Sequence, residues 1–139
     1  MRAVLDANIY VSALICPEGP PGRILRRFVD QHDFELIVSP SILREIEVVL
    51  FYPKIRKYLK AGPDEVKSWV LSIGMLATIV RGNLAVNVVT GDPADNKYIA
   101  AALEGSAHYI VSGDHHLLQI GEHQGIWILP PSPFLKILK

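Results

Sequence analysis

The sequence predicts an α/β protein, a three-layer α/β/α sandwich with a mostly parallel central sheet. Three observations predict it. Apolar runs of strand length alternate along the chain with segments of helical spacing. Where helical segments begin, a capping residue stands directly before a proline. No period of ~20 to 50 residues recurs, which excludes a solenoid or propeller. Such alternation belongs to a sheet whose strands are covered by helices.

The expected strands are Ala3–Leu5, Phe34–Val38, part of Ala77–Val80 and Val86–Val89, Tyr109–Val111 and Ile126–Leu129. The clearest helix carries Val66, Trp69, Val70, Ile73, Leu76 and Ala77, a sustained i, i+3, i+4, i+7 stripe. Helix starts fall at Ser39-Pro40, Gly62-Pro63 and Asp92-Pro93. Pro130, Pro131 and Pro133 close the last strand, leaving Phe134–Leu138 as a terminal helix or arm. A chain of 139 residues is expected to form one domain over 1–139, with a short tail at 130–139.

Hydrophobic residues at 50% and charged residues at 20% exclude disorder and low-complexity sequence. Lys plus Arg equal Asp plus Glu at 14 each, so no global basic excess marks a nucleic-acid binder. Any such role must come from the distribution of charge. The lone Cys16 cannot form an internal disulfide and fits a reducing cytosol. The longest uncharged stretches, Ser68–Val80 and His123–Leu135, span 13 residues each, whereas a bilayer needs ~18 to 20, so no membrane partner is expected. Residues Ala7–Pro17 imitate a signal-peptide core, but Asp6 interrupts it and Ile15 stands where processing wants a small residue, so the N-terminus reads as mature structure.

The acids carry the chemistry. Asp6 follows Val4-Leu5, and Asp114 follows Tyr109–Val111 after Ser112-Gly113. Both therefore sit at carboxyl ends of expected strands, the edge where open α/β sheets bind ligands. Asp92 and Asp95 fall beside the same edge. Glu45 lies within the apolar stripe of Ile42, Ile46, Val49 and Leu50, where a carboxylate is costly unless paired or bound to a cation. Acids from separate segments gathered on one rim repel one another, and a hard divalent cation relieves that repulsion. Oxygen-only ligation suits Mg²⁺ or Mn²⁺, and paired ions of this kind promote phosphodiester hydrolysis. Singly, each acid has a plain structural reading: helix cap for Asp6 and Asp92, turn for Asp114, and ion pair with Arg23, Arg26 or Arg27 for Glu45. Their joint occurrence favours the metal site.

These residues resemble the PIN-domain ribonucleases, in particular the VapC-like toxins of toxin–antitoxin pairs. Val4 to Leu14 looks like the family's opening strand and first acid, Asp6, and Glu45 in Ser41–Leu50 matches the second. Asp92 to Ala102 matches the third block with Asp95 at the usual acid, and Val111 to Leu118 matches the fourth with Asp114. The resemblance implies that Asp6, Glu45, Asp95 and Asp114, with Asp92 as a further ligand or only a cap, hold one or two Mg²⁺ or Mn²⁺ ions. It also implies metal-dependent hydrolysis of RNA leaving a 5′-phosphate and 3′-hydroxyl, with Asn8 and Ser112 orienting the ligands. An antitoxin partner, a homodimer and a cytoplasmic location are implied as well. Phe51, Leu59 and Phe134–Leu138 are candidate interface residues.

Lys54, Arg56, Lys57 and Lys60, interleaved with Tyr52 and Tyr58, form an acid-free strip suited to RNA contact. Arg23, Arg26 and Arg27 form a second basic cluster, and His115 and His116 read as partly exposed helix residues. An Asp-nucleophile phosphatase fits less well, because it wants a second Asp where Asn8 stands. A catalytically silent PIN-like module binding RNA or protein is the other alternative. Retention of all four acids argues against it.

Overall fold

The computed structural model describes residues 1–138. The elements run β1 (Arg2–Leu5), α1 (Ala7–Ile15), α2 (Pro20–Val29), β2 (Glu35–Val38), α3 (Pro40–Leu50), α4 (Pro53–Arg56), α5 (Pro63–Leu76) and β3 (Thr78–Ile79). A 3-10 turn (Pro93–Asp95) then leads into α6 (Asn96–Glu104), β4 (Tyr109–Val111), α7 (His115–Leu118), β5 (Glu122–His123), β6 (Ile126–Leu129) and α8 (Pro131–Ile137). The six strands form one sheet in the order β3-β2-β1-β4-β6-β5. Every pairing is parallel except β5 with β6. Successive strand residues point to opposite faces, yet Ala3, Val4 and Leu5 are all fully buried, so both faces of the central strand are covered. Each buried Val, Leu or Ile contributes roughly 1.5–3 kcal/mol.

The helices begin where the sequence places their caps. Ser39 Oγ accepts from Ile42 N at 3.3 Å, and α3 then turns Ile42, Ile46 and Leu50 into the core at i, i+4 and i+8. Glu65 Oε1 accepts from Gly62 N at 3.1 Å to start α5, which buries Val66, Val70 and Ile73. The core continues through α8, where Phe134 meets the rings of Phe34 and Tyr109 at 5.5 and 5.7 Å. The terminal segment is thus a helix. Phe134 and Leu138 are buried in the chain's own core, so they are not an exposed interface arm. Lys139, the end of the 130–139 tail, lies outside the described residues.

Two strand assignments change. Val86–Val89 is not a strand: Asn96 Oδ1 accepts from Val88 N and Val89 N at 2.9 and 2.8 Å. Glu104 likewise accepts from Gly82 N and Leu84 N at 3.0 and 2.9 Å. Side chains satisfy these backbone donors, so the segment needs no ladder and crosses the fold as a strap. β5 is an unexpected strand, formed by a hairpin whose two loop residues, Gln124 and Gly125, have φ of 51° and 84°. That tight turn is ordinarily signalled by Asn-Gly. Among the described residues no helix is long and apolar enough to cross a membrane.

Candidate active site

In a parallel sheet every strand delivers its next residues to the same edge. Leu5 lies opposite Val111, so Asp6 and the Ser112–Asp114 turn leave adjacent strand ends together. Asp6 is only 4% exposed. It caps α1, with Oδ1 accepting from Asn8 N at 3.0 Å, while Oδ2 accepts from Ser112 Oγ at 2.6 Å. Ser112 is itself fully buried, and its Oγ also accepts from Asp114 N at 2.9 Å. One hydroxyl thus ties the first acid to the loop of the fourth. Asn8 acts through its backbone N–H, and its side chain faces solvent.

Asp114 caps the single turn of α7, accepting from Leu117 N at 3.3 Å. His116 Nδ1 lies 3.8 Å from Asp114 Oδ2, and its ring stacks on that of His115 at 4.0 Å. His115 is exposed and His116 half-buried, as expected. A Cβ at position 91 would lie 2.4 Å from His116 Cδ2, so the bare backbone of Gly91 lets the His116 ring pack against the strap. The strap is thereby brought down beside Asp114.

Glu45 finds a partner that the Arg23, Arg26 and Arg27 reading missed. Lys97 Nζ lies 2.8 Å from Glu45 Oε1, and Tyr98 donates its hydroxyl to the same oxygen at 2.5 Å. The Tyr98 hydroxyl also accepts from Ala7 N at 3.1 Å, linking α6 to the start of α1. Lys97 and Tyr98 were not singled out from the sequence. Their signal was the need of a stripe-facing glutamate for a donor, met by a polar pair opening an otherwise small and apolar helix. Arg26 instead pairs with Glu18, and Arg27 with Asp33.

Asp92 makes no capping bond, so the helix-cap reading fails there. Its charge instead acts on Asp95, whose pKa is pushed up to about 7 by burial first, then by Asp92, Asp6 and Asp114. Burial also raises Asp6, reinforced by the charges of Glu45 and Asp114 and opposed by the bonds from Ser112 and Asn8. Asp6, Glu45, Asp92, Asp95 and Asp114 therefore form one electrostatic cluster at the carboxyl edge. Lys97 is the cation bonded to it among the described residues, apart from the imidazole contact. Mutual repulsion among these carboxylates fits a hard divalent cation, although the ligand atoms that converge within 4.8 Å of one another among the described residues are those of Asp114, His115 and His116, an oxygen with two imidazoles, and not those of the five acids.

The basic strip lies elsewhere. Lys54, Lys57 and Lys60 follow α3, all exposed beside exposed Tyr52 and Tyr58, and Tyr58 and Lys60 line a cavity with Leu14 and Ile15 at the end of α1 and Val66 near the start of α5. Arg56 is already engaged, its guanidinium lying 5.3 Å from the Phe51 ring centre and donating to Ala61 O at 3.4 Å.

Comparison with known proteins gives the family. The PIN domain family matches residues 2–116. An uncharacterized protein of Methanocaldococcus jannaschii is 35% identical over 120 residues, covering 86% of this chain and 75% of that protein. The crystal structure of VapBC2 from Rickettsia felis, bound to a DNA fragment from their promoter, shares the fold at TM-score 0.59. That match covers 94% of this chain and 98% of the other at 12% identity.

Proposed function

This chain belongs to the PIN-domain family, whose members are generally nucleases using divalent metals, and from that premise we propose that it is a Mg²⁺- or Mn²⁺-dependent endoribonuclease. The observation that carries the reading is the carboxylate cluster, with Asp95 pushed up to about 7 by burial and by neighbouring acids. Asp6, Glu45, Asp95 and Asp114 would hold one or two ions, with Asp92 as a further ligand. A bound ion supplies activation of water and charge to offset the phosphoryl oxygens.

The chain's own residues prepare that chemistry. Ser112 partly offsets the burial of Asp6 by donating to Oδ2, and Tyr98 and Lys97 fix the orientation of Glu45. Asp95, half-buried beside Asp92, Asp6 and Asp114, would be held ionised by a bound cation. The water oxygen bonds to phosphorus as the bond to the 3′ oxygen breaks, leaving a 5′-phosphate and a 3′-hydroxyl. The exposed Lys54, Lys57 and Lys60, with Arg56 in a supporting role, would hold more distant RNA phosphates.

A cognate antitoxin and a homodimer complete the proposal, in the cytoplasm and with 1–139 acting as one domain. The VapBC2 neighbour supports the antitoxin. The dimer is supported by exposed apolar residues on α5 and β3, with Leu71 and Met75 at 68% and 84% exposure, in place of the buried Phe134 and Leu138. The test is cleavage of single-stranded RNA by purified chain in Mn²⁺ and in excess EDTA. Cleavage that needs Mn²⁺ and disappears in Asp114→Asn supports the enzyme. Tight RNA binding with no cleavage in Mn²⁺ would favour the silent module.

A further inference from the structure

We propose that the cavity between α2 and α8 is a subsite for a phosphodiester group of a single RNA strand, an inference that rests on the nuclease reading above. The cavity, of about 330 Å³, is lined by Pro20, Arg23, Arg27, Ser132, Leu135 and Lys136. Its polar side chains are two guanidinium groups, one ammonium and one hydroxyl, and among the described residues no carboxylate lines it. Asp33 pairs with Arg27, which leaves Arg23 and Lys136 as the cations without a counter-charge among the described residues, and such a set selects an anion. The planar fork of arginine matches phosphate oxygens in particular.

The three arginines of α2 divide in a way the sequence does not show. Arg26 turns to Glu18 at 3.2 Å. Arg23 and Arg27, one turn apart, face α8. Arg27 is held in place by Asp33 and by the carbonyl of Leu138. Arg23 and Lys136 have no ion-pair partner among the described residues.

Position connects this cavity to the acids. Leu129, the last residue of β6, accepts from Ser112 N at 3.0 Å, and Ser112 holds Asp6. Ser132 comes three residues after Leu129, so the cavity starts at the same sheet edge as the acid cluster. A polyanionic strand is repelled by five clustered carboxylates until cations are bound there, so a fixed cationic cradle beside them supplies local attraction that a chain of zero net charge lacks overall. Pro20 and Leu135 give the cradle an apolar wall for the sugar.

The test compares the full chain with the Arg23→Ala/Lys136→Ala variant. Arg27 is left intact because it ties α2 to α8. Binding of a short fluorescent single-stranded RNA is followed by anisotropy across a salt series in EDTA. The expected result is about a tenfold loss of affinity and a salt slope flatter by roughly 1.4, two contacts at ~0.7 each. Mn²⁺ affinity by calorimetry and Tm should not change. RNA affinity and slope equal to wild type would overturn the subsite, as would a wild-type chain that binds no RNA. Binding of inorganic phosphate or a glutamate-rich peptide that needs Arg23 and Lys136, beside RNA binding that does not, would overturn it too. RNA binding weakened as expected, with no Mn²⁺-dependent cleavage by wild type, would keep the subsite and remove the nuclease reading.

Discussion

At the amino edge of the sheet, Arg2 Nε donates to Ser106 O and Arg2 N to His108 Nδ1, each at 3.0 Å, and the polar groups of one strand end are matched by donors and acceptors of the next. At the carboxyl edge, a strand length or about 13 Å away, Asp6 is buried among four other acids. The same strands deliver both edges. One edge satisfies its charges and serves stability. The other buries like charge, so that desolvation first and repulsion second raise Asp6 and Asp95, and so stores a demand for cations.

That contrast can be broken at its acidic end. Asp6→Asn should lower Mn²⁺ affinity by about 100-fold or more and abolish RNA cleavage. Asparagine caps a helix as well as aspartate does, so circular dichroism and Tm should show an intact fold. Calorimetry and a cleavage assay on the same preparation check both halves. A smaller effect follows from the wild-type chain alone. Mn²⁺ at 100 times its Kd should stabilise the fold by about 2.7 kcal/mol, read as a rise in the denaturation midpoint that EDTA reverses.

The pH dependence sharpens the same point. Asp95 binds its proton more tightly in the fold, at about 7, than at its ordinary value of 3.8. Between those values the folded state holds more protons than the unfolded, so metal-free stability is greatest at low pH and falls as pH rises toward 7. Tm in EDTA should therefore drop by a few degrees across this range, less in Asp95→Asn. With Mn²⁺ the fall should vanish. A metal-free Tm that rises with pH through this window would refute the repulsion.

Tyr98→Phe tests the link between α1 and Glu45. Losing the hydroxyl leaves Ala7 N unpaired and Glu45 with one donor fewer, costing about 1–2 kcal/mol. Mn²⁺ affinity should fall about tenfold through the misplaced glutamate. At the other edge Arg2→Ala should cost under about 1 kcal/mol in urea denaturation and leave Mn²⁺ binding untouched.

Asp6 and Asp114 are legible in the sequence because each follows a short apolar run, and a parallel sheet puts all such endings on one side. The setting of Glu45 is legible only by half. Its place on α3 is periodic, but its partners Lys97 and Tyr98 lie 52 and 53 residues away, and only packing of α3 against α6 unites them. Val86–Val89 has the composition of a strand, yet Asn96 and Glu104 take its backbone donors, a long-range choice invisible to local pattern. The β5 hairpin hides behind Gln124-Gly125, a weaker turn signal than Asn-Gly. The division of Arg23, Arg26 and Arg27 between two faces depends on the position of α8.

Calorimetric titration of Mn²⁺ into the metal-stripped chain, beside Asp6→Asn and Asp114→Asn, tests the carboxyl edge as a cation site most directly. Saturable binding of one or two ions per chain, severely weakened in both variants, is the predicted result. An absent isotherm, or one unchanged by either substitution, would contradict it.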